Sequence, residues 1–267
     1  MTPLFSIILP THNRPDTFLR AVSSVIHQNF RDFELVVIDD ASPTNYAQAI
    51  CGTLNIPYRL IKNPVTLGAA GSRNVGIEAA RGKYISLLDD DDEYERTFLS
   101  STYECLLATP DEVGVSWCGA NRIIYPINSD EFFVYVILNF PISYSSQTAL
   151  FEKFISIGTG HGITIKRKCI DVVGLFDSQF KVVEDTDFFI RILENGFCPV
   201  VVPGVHITLH DHKNQKLSNA SLHPIRVTEC HRLLSRHAEF FKEFPLFQSN
   251  MENHIKSLEG QMEPKAP

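Results

Sequence analysis

The chain has 267 residues, 44% hydrophobic and 21% charged, with a net charge of −7. That length buries an ample core in one large domain or two small ones, and the acidic balance with no basic cluster argues against nucleic acid or anionic lipid as partner. No apolar run approaches the ~20 residues of a membrane helix, no signal pattern opens the chain, and six scattered cysteines without a C-x-x-C pair read as reduced thiols of a cytosolic protein.

Phe5-Ser-Ile-Ile-Leu9 predicts a buried strand. It stops at Pro10-Thr-His-Asn-Arg14, and Pro15 suits a helix start. Phe18, Val22, Val25 and Ile26 form a helical stripe to about His27. Phe33–Ile38 is a second strand ending in Asp39-Asp40-Ala-Ser42, followed by a helix to about Cys51. Pro57–Lys62 is a third strand. After a glycine-containing loop, a helix from about Ser72 to Ala80 stops at Gly82, read as a C′ glycine. Tyr84–Leu88 is a fourth strand, and it ends in four consecutive carboxylates, Asp89 to Asp92.

Four strand–helix repeats predict a parallel sheet with right-handed crossovers. In such sheets ligands bind beyond the carboxyl ends of the strands, where His12, Asn13 and Arg14, then Asp39, Asp40 and Ser42, then Asp89–Asp92 all fall. An isolated acidic run more often caps a helix. Three polar clusters on one edge point instead to a site. Four adjacent carboxylates repel one another, so holding them ordered calls for a cation, and oxygen ligands suit Mg²⁺, Mn²⁺ or Ca²⁺.

Further along, a helix follows Glu95 to about Ala108. Val113–Cys118 is a strand, which Asn121–Pro126 continues or pairs with. Residues 128 to 157 give mixed signals. Gly158-Thr-Gly-His-Gly162 reads as a flexible loop entering a strand at Ile163–Ile165, and Arg167–Val173 as a short helix. Val182–Asp187 leads into a helix at Phe188–Asn195 closed by Gly196. Pro199–Val202 and Val205–Leu209 are strands. An amphipathic helix runs from about Ser221 to Phe241, and the last twenty residues are expected to fray.

Ile8-Leu-Pro-Thr-His-Asn-Arg14, Leu35-Val-Val-Ile-Asp-Asp-Ala-Ser42, Gly68-Ala-Ala-Gly-Ser-Arg-Asn74 and Tyr84–Asp92 resemble, in order and spacing, the signature of family 2 glycosyltransferases. Gly174-Leu-Phe-Asp177 followed by Glu184-Asp-Thr-Asp187 is similar to that family's acceptor-half motif. The resemblance covers roughly residues 5 to 218. It implies an α/β protein of GT-A fold, a Rossmann-like, mostly parallel sheet flanked by helices. Residues 1–120 would form the nucleotide-sugar half, 121–220 the acceptor half, and 221–267 a C-terminal helical extension.

The same resemblance implies a metal-dependent inverting transferase that moves a sugar from a nucleotide diphosphate, a UDP-sugar, to an acceptor hydroxyl in glycan or polysaccharide synthesis. Pro10, His12 and Asp40 would hold the base, with Asp39 supporting the loop. Arg14 stands beside them, and Arg73 would reach the diphosphate or clamp Asp89. Asp91 would bind Mn²⁺ or Mg²⁺, with Asp89 and Asp90 on ribose, sugar or metal-bound water and Asp92 capping the next helix. Asp185 is the expected general base and Glu184 the runner-up, with Asp187 structural. His212 is the better-spaced metal candidate of His210-Asp211-His212, and His161 a weaker site candidate. The acceptor would be a glycan, a lipid-linked glycan or another hydroxyl compound. The expected location is cytoplasmic, including the inner face of a membrane without a span. The competing reading is a catalytically silent nucleotide-sugar-binding partner subunit. A sugar-nucleotide pyrophosphorylase would need a glycine-rich basic loop where Pro10-Thr-His-Asn13 stands.

Overall fold

The structure, a computed structural model, describes residues 2–125, 134–212 and 222–262, with the side chains of Val134 and His212 outside that description. The first strands are β1 (Phe5–Thr11), β2 (Phe33–Asp39), β3 (Tyr58–Lys62) and β4 (Tyr84–Leu87), and all four run parallel in the order β3-β2-β1-β4. The alternation along them feeds two cores. Phe5, Ile7, Leu9, Leu35 and Val37 belong to one, while Ile8, Val36, Ile38 and Ile85 belong to the other. A strand buried on both sides needs apolar residues at successive positions, which is why these runs are continuous.

Against the first core pack α1 (Pro15–Ile26), α2 (Tyr46–Cys51) and α4 (Phe98–Leu107). On the other side lies α3 (Gly68–Ala79). This helix begins four residues earlier than its sequence pattern predicts. The reason lies just beyond β2: the Asp40 carboxylate accepts from the backbone N–H groups of Leu67 and Gly68 at 2.8 and 3.0 Å, satisfying donors that a helix start leaves open.

Gly82 does not serve as a left-handed helix cap. The helix ends with Ala80 in extended geometry, and Gly82 is absent from the positive-φ positions. Its role is close approach: a Cβ there would lie 2.5 Å from the Ser6 amide nitrogen and 2.7 Å from the Phe5 carbonyl carbon. Gly82→Ala must push two backbones apart at the edge of β1. It is expected to cost about 2–3 kcal/mol, read as a fall of roughly 5–10 °C in Tm; an unchanged melting curve would contradict this close-packing role.

The second half completes one mixed sheet. β5 (Glu93–Tyr94) was not foreseen. β6 (Val113–Tyr125) is one continuous strand, so the expected division at residue 120 falls inside it. The unplaced stretch contains β7 (Val134–Leu138) and α5 (Gln147–Ser156), the latter capped by the Ser146 hydroxyl accepting from Ala149 N. Then come β8 (Thr164–Lys166), α6 (Arg167–Val173), α7 (Glu184–Glu194) and β9 (Cys198–His212). The full order is β3-β2-β1-β4-β8-β6-β9-β5, with β7 beside β6; β8 is antiparallel to its neighbours and β9 runs parallel to β6. The two predicted strands at 199–209 are one strand, bent at Gly204 (φ 98°) where its register with β6 shifts.

The C-terminal part is more ordered than expected. α8 (His223–Arg236), α9 (Ala238–Glu243) and α10 (Pro245–Met262) close the chain. Phe247, Met251, Ile255 and Leu258 give α10 an apolar stripe, and Ile255 and Leu258 are buried, so this segment packs instead of fraying.

Candidate active site

Parallel strands put their carboxyl ends on one edge, and a cavity of about 870 Å³ opens there. Among its lining residues are Pro10, His12, Arg14, Asp40, Arg73, Asp89, Asp90, Asp91 and Asp185. Nine expected site residues from five chain segments therefore meet around one space. Glu184 does not line it, and His212 lies outside the described side chains.

The nucleotide side is built by turns under backbone constraint. Asn13 (φ 53°) and Ala41 (φ 61°) take left-handed conformations uncommon for non-glycine residues, just beyond β1 and β2. The Asn13 amide donates to Ser42 Oγ at 3.0 Å, and Asp39 Oδ1 accepts from Ser42 N at 2.9 Å. His12 Nδ1 lies 2.7 Å from the Asp40 carbonyl, so that nitrogen carries the proton. Asp40 is 4% exposed. Its carboxylate takes Asn63 Nδ2 at 2.8 Å besides the two amides that start α3. Three of about four acceptor directions are thus used within the protein.

The acidic row has protein counter-ions. Arg14 Nη1 lies 3.1 Å from both Asp90 Oδ1 and Asp91 Oδ2. Arg73, 4% exposed, places Nη2 2.7 Å from Asp89 Oδ1 and Nη1 3.0 Å from Glu184 Oε1. The sequence calls for a cation to hold four aspartates together; Arg14, in the turn between β1 and α1, and Arg73 of α3 supply positive charge to Asp89, Asp90 and Asp91. Burial opposes the charge on both, yet Asp90 and Asp91 raise the pKa of Arg14, and Asp89 and Glu184 raise that of Arg73. Asp90 also accepts from Thr11 Oγ1 at 2.7 Å, and burial, joined by repulsion from Asp91 and Asp89, lifts its pKa to about 6.

Asp92 is not a helix cap. β5 intervenes before α4, and the buried Asp92 carboxylate accepts from the His210 backbone N at 3.1 Å, tying the acidic row to β9. Burial and the neighbouring Asp89 and Asp91 push its pKa well up. His210 lines the cavity, but its ring is already held, Nδ1 2.8 Å from Tyr125 Oη and Nε2 2.7 Å from Glu93 Oε1.

Asp185 lies in the first turn of α7, with Oδ1 accepting from Thr186 N at 2.7 Å. That helix starts at Glu184, four residues before its apolar pattern, because three acids in the first turn suit the positive helix end. Glu184 is 5% exposed; burial and then repulsion from Asp185 raise its pKa against the pull of Arg73. Asp187 is fully buried and structural. It meets Arg191 Nε at 2.8 Å, His237 Nε2 at 3.0 Å and Arg236 Nη1 at 3.2 Å. The 158–162 loop passes the same place: a Cβ at Gly158 would sit 3.1 Å from Asp185 Oδ2. His161 does not line the cavity, and burial lowers its pKa to about 4.

Among the described residues, no three His, Cys, Asp or Glu side chains gather into a metal cage. A metal that rides on a nucleotide diphosphate needs only one or two carboxylates, with phosphates and water completing its shell. Asp89 and Asp91, with side chains 31% and 32% exposed at the cavity, fit that requirement. Thr11, Thr66, Gly68, Ala69, Ser72, Arg122 and Ile157 also line the cavity and are not among the expected ligands, and His210, the less well-spaced metal candidate, lines it too. Arg122, ion-paired to Asp211, is a charged residue inside a strand, which was the available signal.

An uncharacterized glycosyltransferase of Haemophilus influenzae is 27% identical over 214 residues, 78% of this chain and 69% of that protein. The UDP-Glc:α-D-GlcNAc-diphosphoundecaprenol β-1,3-glucosyltransferase WfgD of Escherichia coli is 37% identical over 89 residues, so that this match spans 33% of the chain and 35% of WfgD. Staphylococcus aureus TarS 1–349 in complex with UDP-GlcNAc aligns with a TM-score of 0.66 at 16% identity, over 86% of this chain and 66% of that one. The mannosyltransferase PcManGT of Pyrobaculum calidifontis, in complex with GDP-Man and Mn²⁺, gives 0.65 at 17%, over 97% and 72%. At these identities the two structures show the fold, which is GT-A. Residues 6–174 match the family model described as Glycosyl transferase family 2, and with that the chain belongs to this family, a transferase on the GT-A fold.

Proposed function

We propose that the protein is a metal-dependent, inverting glycosyltransferase that moves a sugar from a UDP-sugar to a hydroxyl of a glycan or lipid-linked glycan in polysaccharide synthesis. The observation that carries this reading is the shared cavity: the acidic row after β4 and Asp185 on α7 face one space, and Arg73 joins their two sides. In this reading residues 1–120 hold the donor, 121–220 the acceptor, and 221–267 support them. The location in this reading is cytoplasmic, the inner face of a membrane included; among the described residues no helix is long and apolar enough to cross one.

Pro10 and the His12 ring hold the base, with the remaining acceptor direction of Asp40 turned to its imide N–H. Asp91, with Asp89 and His212, would hold Mn²⁺ or Mg²⁺, which when bound neutralises the departing diphosphate. Asp90 positions Arg14 and the ribose or sugar hydroxyls. Asp185 takes the proton of the acceptor hydroxyl as its oxygen attacks the anomeric carbon opposite the leaving group. One displacement gives inversion. Glu184 serves as counter-ion to Arg73.

The TarS complex with UDP-GlcNAc and the UDP-Glc in the name of WfgD support UDP as the nucleotide, although PcManGT binds GDP-Man. A thermal-shift panel of UDP-glucose, UDP-GlcNAc and GDP-mannose tests the choice. A ligand at 100 times its Kd adds about 2.7 kcal/mol to stability. A UDP-sugar with Mn²⁺ is expected to raise Tm by several degrees, and EDTA to cancel the rise. No shift with any of the three, or a shift insensitive to EDTA, would overturn the donor or the metal part respectively.

A further inference from the structure

The helix that carries Asp185 has no side-chain cap of its own: Val183 stands at its N-cap and makes none. A carboxylate from far along the chain takes that place. Glu229, on α8 and 7% exposed, accepts from Lys181 N at 2.8 Å through Oε1 and from Val182 N at 2.9 Å through Oε2. These are the two residues just before the N-cap. One buried carboxylate on two amides is a charge-assisted, two-point grip on the backbone.

The rest of the C-terminal region repeats the grip along α7. His237, between α8 and α9, places Nε2 3.0 Å from Asp187 and Nδ1 3.0 Å from Glu194. Arg236 reaches Asp177 at 2.6 Å and Asp187 at 3.2 Å. The helix is therefore held at its entry, its first turn and its last. Of these holds, only Glu229 acts on the backbone that leads directly into Asp185.

We propose that Glu229 is a positioning residue for Asp185: by fixing the amides of Lys181 and Val182 it sets where the first turn of α7 presents its carboxylate to the cavity. This rests on the reading of Asp185 as general base. A misplacement of about 1 Å in a reacting group costs on the order of 100-fold in rate. The C-terminal extension, which carries no catalytic motif, thereby tunes the reaction from behind.

The test uses the full chain with Mn²⁺ and reads UDP released from UDP-glucose or UDP-GlcNAc with water as acceptor, alongside donor Kd and Tm. Glu229→Gln keeps the shape but sets an amide NH₂ against one of the two N–H donors. It is expected to lower kcat at least 10-fold while donor Kd stays within twofold. Leu233→Ala is the control. It empties a fully buried site on the same helix but leaves the Glu229 carboxylate and the two amides that it holds unchanged, so it is expected to lower Tm and keep kcat within twofold. Glu229→Asp retains the charge with reach for one amide and falls between wild type and Gln; it decides by the same criteria if Gln does not fold. The proposal is overturned if kcat of the Glu229 variant stays within twofold of wild type, or if Leu233→Ala loses as much, since the effect would then be one of general stability. Turnover surviving in Asp185→Asn would instead remove the base reading itself.

Discussion

Asp91→Ala is expected to weaken nucleotide-sugar binding in Mn²⁺ by about 100-fold or more, equal to roughly 2.7 kcal/mol, and to make the residual binding indifferent to EDTA. On the proposed reading Asp91 is a partly exposed ligand of a metal that otherwise rests on the diphosphate, so its loss removes one of very few protein bonds to that metal. The fold itself should tolerate the change. Asp91 is one of four mutually repelling carboxylates, and Arg14 keeps Asp90 as partner. The metal-free Tm is therefore expected within about 2 °C of wild type, from a cost of no more than ~0.5 kcal/mol. Titration calorimetry settles it: unchanged metal and donor affinity would move the metal site away from the acidic row.

Asp185→Asn is expected to reverse that pattern, with donor Kd unchanged and turnover down by about 10²–10⁴-fold, the range a general base contributes. The amide keeps the size of the carboxylate and can still accept from Thr186 N, so loss of structure is a poor explanation for a dead variant. Substrate-saturated UDP release, measured beside donor binding, separates the two. Equal turnover in wild type and variant would transfer the base role elsewhere; binding without turnover in both would favour a silent nucleotide-sugar-binding subunit.

Much of the donor half was readable because its signals are local. β1, β2 and β4 are continuous apolar runs that stop at polar clusters, and parallel topology alone brings those clusters to one edge. What lay hidden was relational. Nothing around Asp40 announces that its carboxylate starts α3, and nothing near Asp92 points to the His210 amide. The expectation of a metal beside four adjacent aspartates took no account of Arg14 and Arg73, which come from the turn after β1 and from α3. The helix containing Asp185 was set too late because its apolar stripe begins only at Phe188, after an acidic first turn. The α10 end of the expected helical extension reads as fraying because its stripe has only one apolar residue per turn on a largely polar helix.

The ion pairs and hydrogen bonds of the site also bear on how the chain reaches its folded state. Thr11 and Asp90 are 79 residues apart, Arg14 and Asp91 77, Arg73 and Glu184 111, and Asp92 and His210 118. Each contact closes a long loop and is made only after that entropy has been lost. Until the arginines arrive, the four aspartates are an unscreened knot of repulsion in any collapsed chain. Nascent segments cannot rehearse the site, and parallel strand pairing is itself slow. Donor binding should thus return in the last phase of refolding, after helix content, which makes the bound nucleotide sugar a reporter of the final closure of the sheet.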